Sequence, residues 1–205
     1  MNYKEQFIKN KTEELTNRYK TVATLSVLSI INRDVKSVKS QYNELKNIYD
    51  EIMQIIENNC REEYYIAAKE FDFSILPDYL QSITAIQEYQ NILALHYATT
   101  NLKNKAEYIQ LNKMSIDFNP KEELPYFNIM KILYADKKYS EIIKMCEYLS
   151  TYSNSATIYS FMGSVYLKLK QYGKALRAFD IYTTLNQNDK QIENKIQKIY
   201  KEILK

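Results

Sequence analysis

Chemistry that needs an imidazole, a thiolate or a phosphate-cradling backbone has little to draw on here: one histidine, two cysteines and two glycines in 205 residues. His96 lies between Leu95 and Tyr97 in an apolar stretch. One imidazole completes neither a His-rich metal site nor more than one corner of a triad, so a surface or packing role is expected. Cys60 stands beside Arg61 with no base nearby, and Cys146 is far from it in sequence. Neither a disulfide framework nor a metal-ligand spacing results, which suits a reducing cytoplasm. Gly163 and Gly173 are too few for a dinucleotide-binding G-x-G-x-x-G or a Walker-type loop, both of which need permissive backbone at several fixed positions. Glu62 and Glu63 are adjacent, and on a helix they point in different directions, as solvated carboxylates do. The expectation is no metal, no cofactor and no enzyme.

The elements that would position these residues are helices. Gly occurs twice and Pro three times, whereas sheet proteins punctuate their strands with turn residues every 8 to 12 residues or so. Tyr is frequent, at 20 residues, and Trp is absent. The formal charge of +3, from 28 Lys and Arg against 25 Asp and Glu, lacks the basic excess of an electrostatic nucleic-acid footprint, so nucleic acid is set aside as a partner. The first apolar stretch, residues 21–31, is too short and too rich in Ser and Thr to span a bilayer, and the start of the chain does not read as a signal peptide.

Val35, Val38, Tyr42, Leu45, Tyr49, Ile52 and Ile56 recur in steps of three and four, the seam of a helix packed lengthwise on another. Phe7, Leu15, Tyr19, Val22, Leu25 and Leu28 form a looser stripe upstream, and Asn32-Arg33-Asp34 interrupts with turn and cap residues. Residues 1–60 therefore read as two long antiparallel helices in a coiled-coil-like hairpin, with one continuous helix as the alternative. In 61–86, Tyr64, Tyr65, Ala67 and Ala68 suggest a short helix, and Phe71 to Asp78 with Pro77 reads as a connector. Beyond Pro77 the pattern becomes helices of roughly 12 to 16 residues between short polar turns, the rhythm of stacked hairpins.

Residues 156–189, ATIYSFMGSVYLKLKQYGKALRAFDIYTTLNQND, carry Tyr159, Met162-Gly163, Tyr166, Tyr172, Ala175 and Phe179 at the spacing of a 34-residue helical hairpin repeat. Gly163 and Ala175 are small where two helices cross closely, while Tyr166 and Phe179 fill the space alongside. In this the segment resembles the tetratricopeptide repeat (TPR) family, departing from it at Tyr182, where a small residue is usual, and at Gln187, where Pro is. Moving back 33 residues, Tyr126, Ile129, Leu133, Tyr139, Ile142 and Cys146 take the core positions, with Met130 in place of the Gly. An earlier copy matches at Leu93, Ala94, Tyr97 and Ala106, with Gln110 at a position normally aromatic. Three repeats are thus expected, at 87–120, 123–155 and 156–189. Residues 190–205, with Ile192, Ile196, Ile199 and Ile203 on one face and Lys195, Lys198, Lys201 and Lys205 elsewhere, read as a solvating cap. Those lysines match an ordinary solvated face.

The resemblance implies an all-α protein in which the long hairpin is followed by a right-handed stack of helical hairpins and a capping helix. It also implies a concave groove lined by the first helix of each repeat. Its ligand positions fall on Asn91, Leu95 and Ala98, on Phe127, Lys131 and Tyr134, and on Ser160, Ser164, Leu167 and Lys168. Ser160 and Ser164 replace the basic and amide groups of the family's carboxylate clamp, so an apolar or amphipathic segment with aromatic anchors is the expected ligand. The function implied is a non-catalytic, cytoplasmic adaptor or scaffold holding a peptide of another protein. Two other readings stand beside it: a chaperone of secreted proteins similar to those of type III translocators, and a structural subunit dimerising through the N-terminal hairpin.

Overall fold

Asn2 and Glu5 cap each other at the start of the first helix, α1 (Tyr3–Ile31): the Asn2 side chain accepts from the Glu5 N–H at 2.9 Å, and Glu5 Oε2 accepts from the Asn2 N–H at 2.9 Å. The structure, a computed structural model, describes residues 2–70, 72–186 and 189–204; Phe71, Gln187 and Lys205 of the readings above lie outside them. Among the described residues there are ten α-helices and two short 3₁₀ turns, and no strand. The chain divides into two compact units, Met1–Asn119 and Pro120–Lys205.

In the first unit α1 ends at a turn with Arg33 in the left-handed region (φ 58°), and the Asp34 N–H donates back to Ser29 O at 2.9 Å. Asp34 then caps α2 (Val35–Asn59), accepting from the Ser37 N–H at 3.1 Å. This tight reversal makes a hairpin and not one continuous helix. Val38, Leu45, Ile52 and Ile56 of the expected seam are buried, joined by Ile48, and Tyr42 and Tyr49 are half-buried. The α1 stripe differs from its expectation: Phe7, Leu25 and Leu28 are exposed, while Thr12, Thr16, Ala23 and Ser26 are buried beside Leu15, Tyr19 and Val22. Small side chains are needed on that face because α1 packs against the turn Asp78–Ile83 and another helix as well as α2. Thr12 Oγ1 donates to Tyr79 O at 3.2 Å, and Ser26 shares a 2.7 Å hydrogen bond with the Tyr97 hydroxyl. Burial of such groups is tolerated when they are bonded in this way.

Helix α3 (Arg61–Glu70), the turns Phe73–Ile75 and Asp78–Ile83, and the pair α4 (Thr84–Thr99) and α5 (Lys105–Phe118) complete this unit. In α4 the residues aligned with the earliest expected copy, Leu93, Ala94 and Tyr97, are buried. The register slips in α5. Ala106 and Gln110 are exposed, and Leu111, Met114, Ser115 and Phe118 face inward instead. The turn at 100–104 is longer than the three-residue turns of the later hairpins, and it moves the inward face along the helix. Ser115 Oγ donates to Ala94 O at 2.7 Å where the two helices cross.

The second unit is a repeat in the strict sense. Helices α6 (Glu123–Ala135) and α7 (Tyr139–Leu149) recur 33 residues later as α8 (Ala156–Lys168) and α9 (Tyr172–Leu185), each beginning at the equivalent position. The turns repeat too, with Lys137 (φ 59°) and Lys170 (φ 57°) both left-handed. Tyr126, Ile129, Met130, Leu133, Ile142 and Cys146 are buried in one hairpin, and Gly163, Tyr166, Ala175 and Phe179 in the other. A Cβ at Gly163 would sit 2.6 Å from Phe179 Cε1, so only glycine lets the ring occupy that space. Tyr182 has a use of its own: its hydroxyl donates to Asp189, whose carboxylate also accepts from the Gln191 N–H at the start of α10 (Lys190–Ile203). That bond holds the Asp189 carboxyl below its ordinary range. Helix α10 packs against α9 through Ile192 and Ile199, while Ile196 is half-buried and Ile203 exposed. A helix packed mainly against one other buries a narrower stripe than the four-isoleucine face expected.

Candidate peptide-binding face

Two helices of the second unit, α6 and α8, carry the residues expected to meet a ligand. Phe127 and Tyr134 are two turns apart on α6 and both are half-buried. Phe161 of α8 bridges them, its ring centroid 6.0 Å from Phe127 at 82° and 6.2 Å from Tyr134 at 53°. Tyr139 extends the cluster, 5.6 Å from Tyr134. Aromatic pairs of this kind, two edge-on and one tilted, are each worth about 0.5–1.5 kcal/mol beyond the area they bury, so the rings hold one another in place while part of each stays open to solvent. Phe161 was not among the expected contacts. It follows Ser160 directly, and the family's ligand positions pass it over; an aromatic beside a ligand position was the available signal.

Lower on α8, Ser164 Oγ donates to Ser160 O at 2.8 Å and accepts from Lys195 Nζ of α10 at 3.0 Å. The same ammonium lies 5.7 Å from the Phe179 ring centroid, a cation–π distance. Ser164 therefore anchors a cation. Leu167 and Lys168 line an open pocket of about 550 Å³ together with Lys170, Tyr172, Lys198, Lys201 and Glu202. Lys131 is exposed on α6.

Asn91, Leu95 and Ala98 lie in the first unit, on α4. Asn91 Oδ1 accepts from Asn119 Nδ2 at 2.9 Å, Leu95 is exposed, and Ala98 is buried at 2%. The structure thus brings Phe127 and Tyr134 together through Phe161, and Leu167 and Lys168 together in the pocket. Ala98 offers no surface.

The reactive residues are placed for packing. Cys60 ends α2, buried, and burial followed by the nearby Glu63 pushes its thiol up to about 11. Cys146 is buried in α7, donates to Met130 Sδ at 3.4 Å, and is pushed up by burial to about 12. Such thiols hold almost no thiolate at neutral pH. Glu62 and Glu63 are exposed in the first turn of α3, and His96 is half-exposed on α4. No group of three or more His, Cys, Asp or Glu residues is gathered for a metal ion, and no helix is long and apolar enough to cross a membrane, among the described residues.

No family model matches the chain, and no curated protein does. Among solved structures it is similar to a thermophilic TPR protein of Thermus thermophilus, with 9% identity and a TM-score of 0.42 over 89% of this chain and 98% of that one. The chain is an all-helical protein of repeat-like hairpins.

Proposed function

We propose that the protein is a non-catalytic adaptor of tetratricopeptide type, working in the cytoplasm, that holds a peptide segment of another protein against the α6–α8 face. The observation that carries this reading is the strip Phe127, Phe161 and Tyr134: three rings fixed by one another, half-open, and on the helices that alternate with α7 and α9. Rigid aromatic groups of this kind supply most of the affinity at protein interfaces at small entropic cost. The free, buried cysteines suit a reducing compartment.

A peptide-display selection on the full chain tests it. Selected apolar or amphipathic peptides should bind wild type and lose about five- to thirty-fold in affinity on Tyr134→Ala or Phe127→Ala, since each removes an anchor worth about 1–2 kcal/mol. Circular dichroism should show both variants folded. Unchanged affinity in both would remove the aromatic strip from the binding surface. Dimerisation through the Val35–Ile56 seam has less support, because Val38, Leu45, Ile52 and Ile56 are already covered within the chain.

A further inference from the structure

The pocket at the end of α8 has a composition unlike the rest of the chain. Among the described residues its walls carry Lys168, Lys170, Lys198 and Lys201 against one carboxylate, Glu202, around Leu167 and Tyr172. That local surplus equals the formal excess of the entire molecule, which is +3. Outside it, Lys and Arg are matched in number by Asp and Glu. All four lysines are exposed, and among the described residues none of them pairs with an acidic side chain. Three separate elements converge to build the pocket: Lys168 ends α8, Lys170 is held in the left-handed turn that follows, and Lys198 and Lys201 are three apart on α10. The cap is pinned at Ser164 through Lys195, which fixes where Lys198 and Lys201 stand.

We propose that this pocket receives an acidic segment of a protein partner, an Asp- and Glu-rich stretch with an apolar side chain that enters between Leu167 and Tyr172. The inference rests on the adaptor reading and adds the chemistry of the ligand to it, since Leu167 and Lys168 belong to both surfaces. Carboxylates fit better than a nucleic-acid backbone. The cations form one confined cluster with an apolar floor, whereas a phosphate backbone needs a track of charge. There is no Arg in the pocket to grip phosphate with two parallel hydrogen bonds. An anionic membrane would call for a broad basic face with exposed apolar groups along it, not an indentation.

The probe is a short fluorescein-labelled peptide in which Asp-Glu pairs alternate with Phe, compared by anisotropy with its Asn-Gln analogue on the full chain. The acidic peptide should bind about ten-fold tighter than the neutral one, and raising the salt should weaken it, as for exposed charges acting together. The double variant Lys198→Glu/Lys201→Glu, folded by circular dichroism, should lose about ten-fold for the acidic peptide alone. If both peptides bind equally and only Tyr134→Ala weakens them, the lysine pocket is overturned and the aromatic strip stands. If the acidic peptide responds to the charge reversal but not to Tyr134→Ala, the pocket stands and the strip falls. Acidic-peptide binding untouched by the reversal, or no binding of either peptide, overturns the proposal. So does displacement by an oligonucleotide or by phosphatidylserine vesicles at lower concentration than the unlabelled peptide.

Discussion

The two glycines of this chain lie on adjacent helices of one hairpin, and the same substitution at each should change stability in opposite directions. At Gly163 an added Cβ would stand 2.6, 2.7 and 2.9 Å from three carbons of the Phe179 ring, and that ring is fully buried. Ordinary carbon contacts are about 3.5–4.0 Å, so the ring or the helix must retreat by roughly 1 Å. Overpacking of this kind costs about 1–3 kcal/mol, while replacing glycine by alanine in a helix returns about 1 kcal/mol. Gly163→Ala should therefore destabilise the hairpin by about 0–2 kcal/mol. At Gly173 nothing lies within 4 Å of the added carbon, only the helix term remains, and Gly173→Ala should stabilise by about 0.5–1 kcal/mol. Phe179→Leu alone opens a void, but combined with Gly163→Ala it should cost less than the sum of the two, because each relieves the other. Urea titrations followed by circular dichroism give the midpoints, and hydrogen exchange on α8 and α9 localises the change to this hairpin. A Gly163→Ala protein as stable as the Gly173→Ala protein, or strictly additive behaviour with Phe179→Leu, would refute the argument from close approach.

Lys137 adopts φ 59° at the α6–α7 turn, a conformation costly for a residue with a Cβ, so Lys137→Gly should raise stability by about 0.5–1 kcal/mol and Lys137→Ala should not; thermal melts of the two decide it. Tyr97→Phe keeps the stacked ring against Phe118 but removes the 2.7 Å bond to buried Ser26, and should cost about 1 kcal/mol in urea titration; an unchanged midpoint would mean that the bond adds nothing. Cys146, pushed from its ordinary 9.0 to about 12, should resist thiol reagents until the protein unfolds. Its raised value favours the folded state fully below pH 9 and loses that contribution as pH rises toward about 12, so Cys146→Ala should flatten the alkaline fall in stability measured across that range.

The parts of the fold that could be read from the sequence are those in which apolar residues recur without a change of register. The α2 seam and the two 33-residue hairpins meet that condition, because the turns at 136–138 and 169–171 have the same length. In α5 the condition fails. A longer turn shifts the inward face, and Ala106 and Gln110, correct for the repeat's spacing, come out exposed. In α1 the failure has another cause. The helix is covered on more than one side, so closeness of approach decides burial more than hydrophobicity does, and Thr12, Thr16 and Ser26 go in while Leu25 and Leu28 stay out. Of the candidate face, Phe127 and Tyr134 were legible from the repeat. Lys168 of the pocket was among the repeat's positions too; Phe161, Lys170, Lys198 and Lys201 were not, since each takes its place only beside side chains of another element.

The three hairpins solve one packing problem in different ways, and the comparison explains why their sequence likeness decays while the architecture does not. Each brings two helices together at one crossing, occupied by Ala94 with Ser115, Met130 with Cys146, and Gly163 with Phe179. What must be conserved is the volume shared by a pair, so a residue that shrinks on one helix permits growth on the other. Where Ala94 and Ser115 are both small, the helices come close enough for the serine hydroxyl to reach the Ala94 carbonyl, and the stacked rings of Tyr97 and Phe118 fill the neighbouring space at 5.8 Å. Where Gly163 leaves room, Phe179 takes all of it. A position-by-position pattern scores Met130 as a mismatch for Gly, yet it is half of a compensated pair with Cys146. Such a chain therefore drifts far from any one-residue signature without leaving the fold, and the residues free to specialise are those outside the crossings, among them Phe127, Tyr134, Phe161 and the lysines at the end of α8.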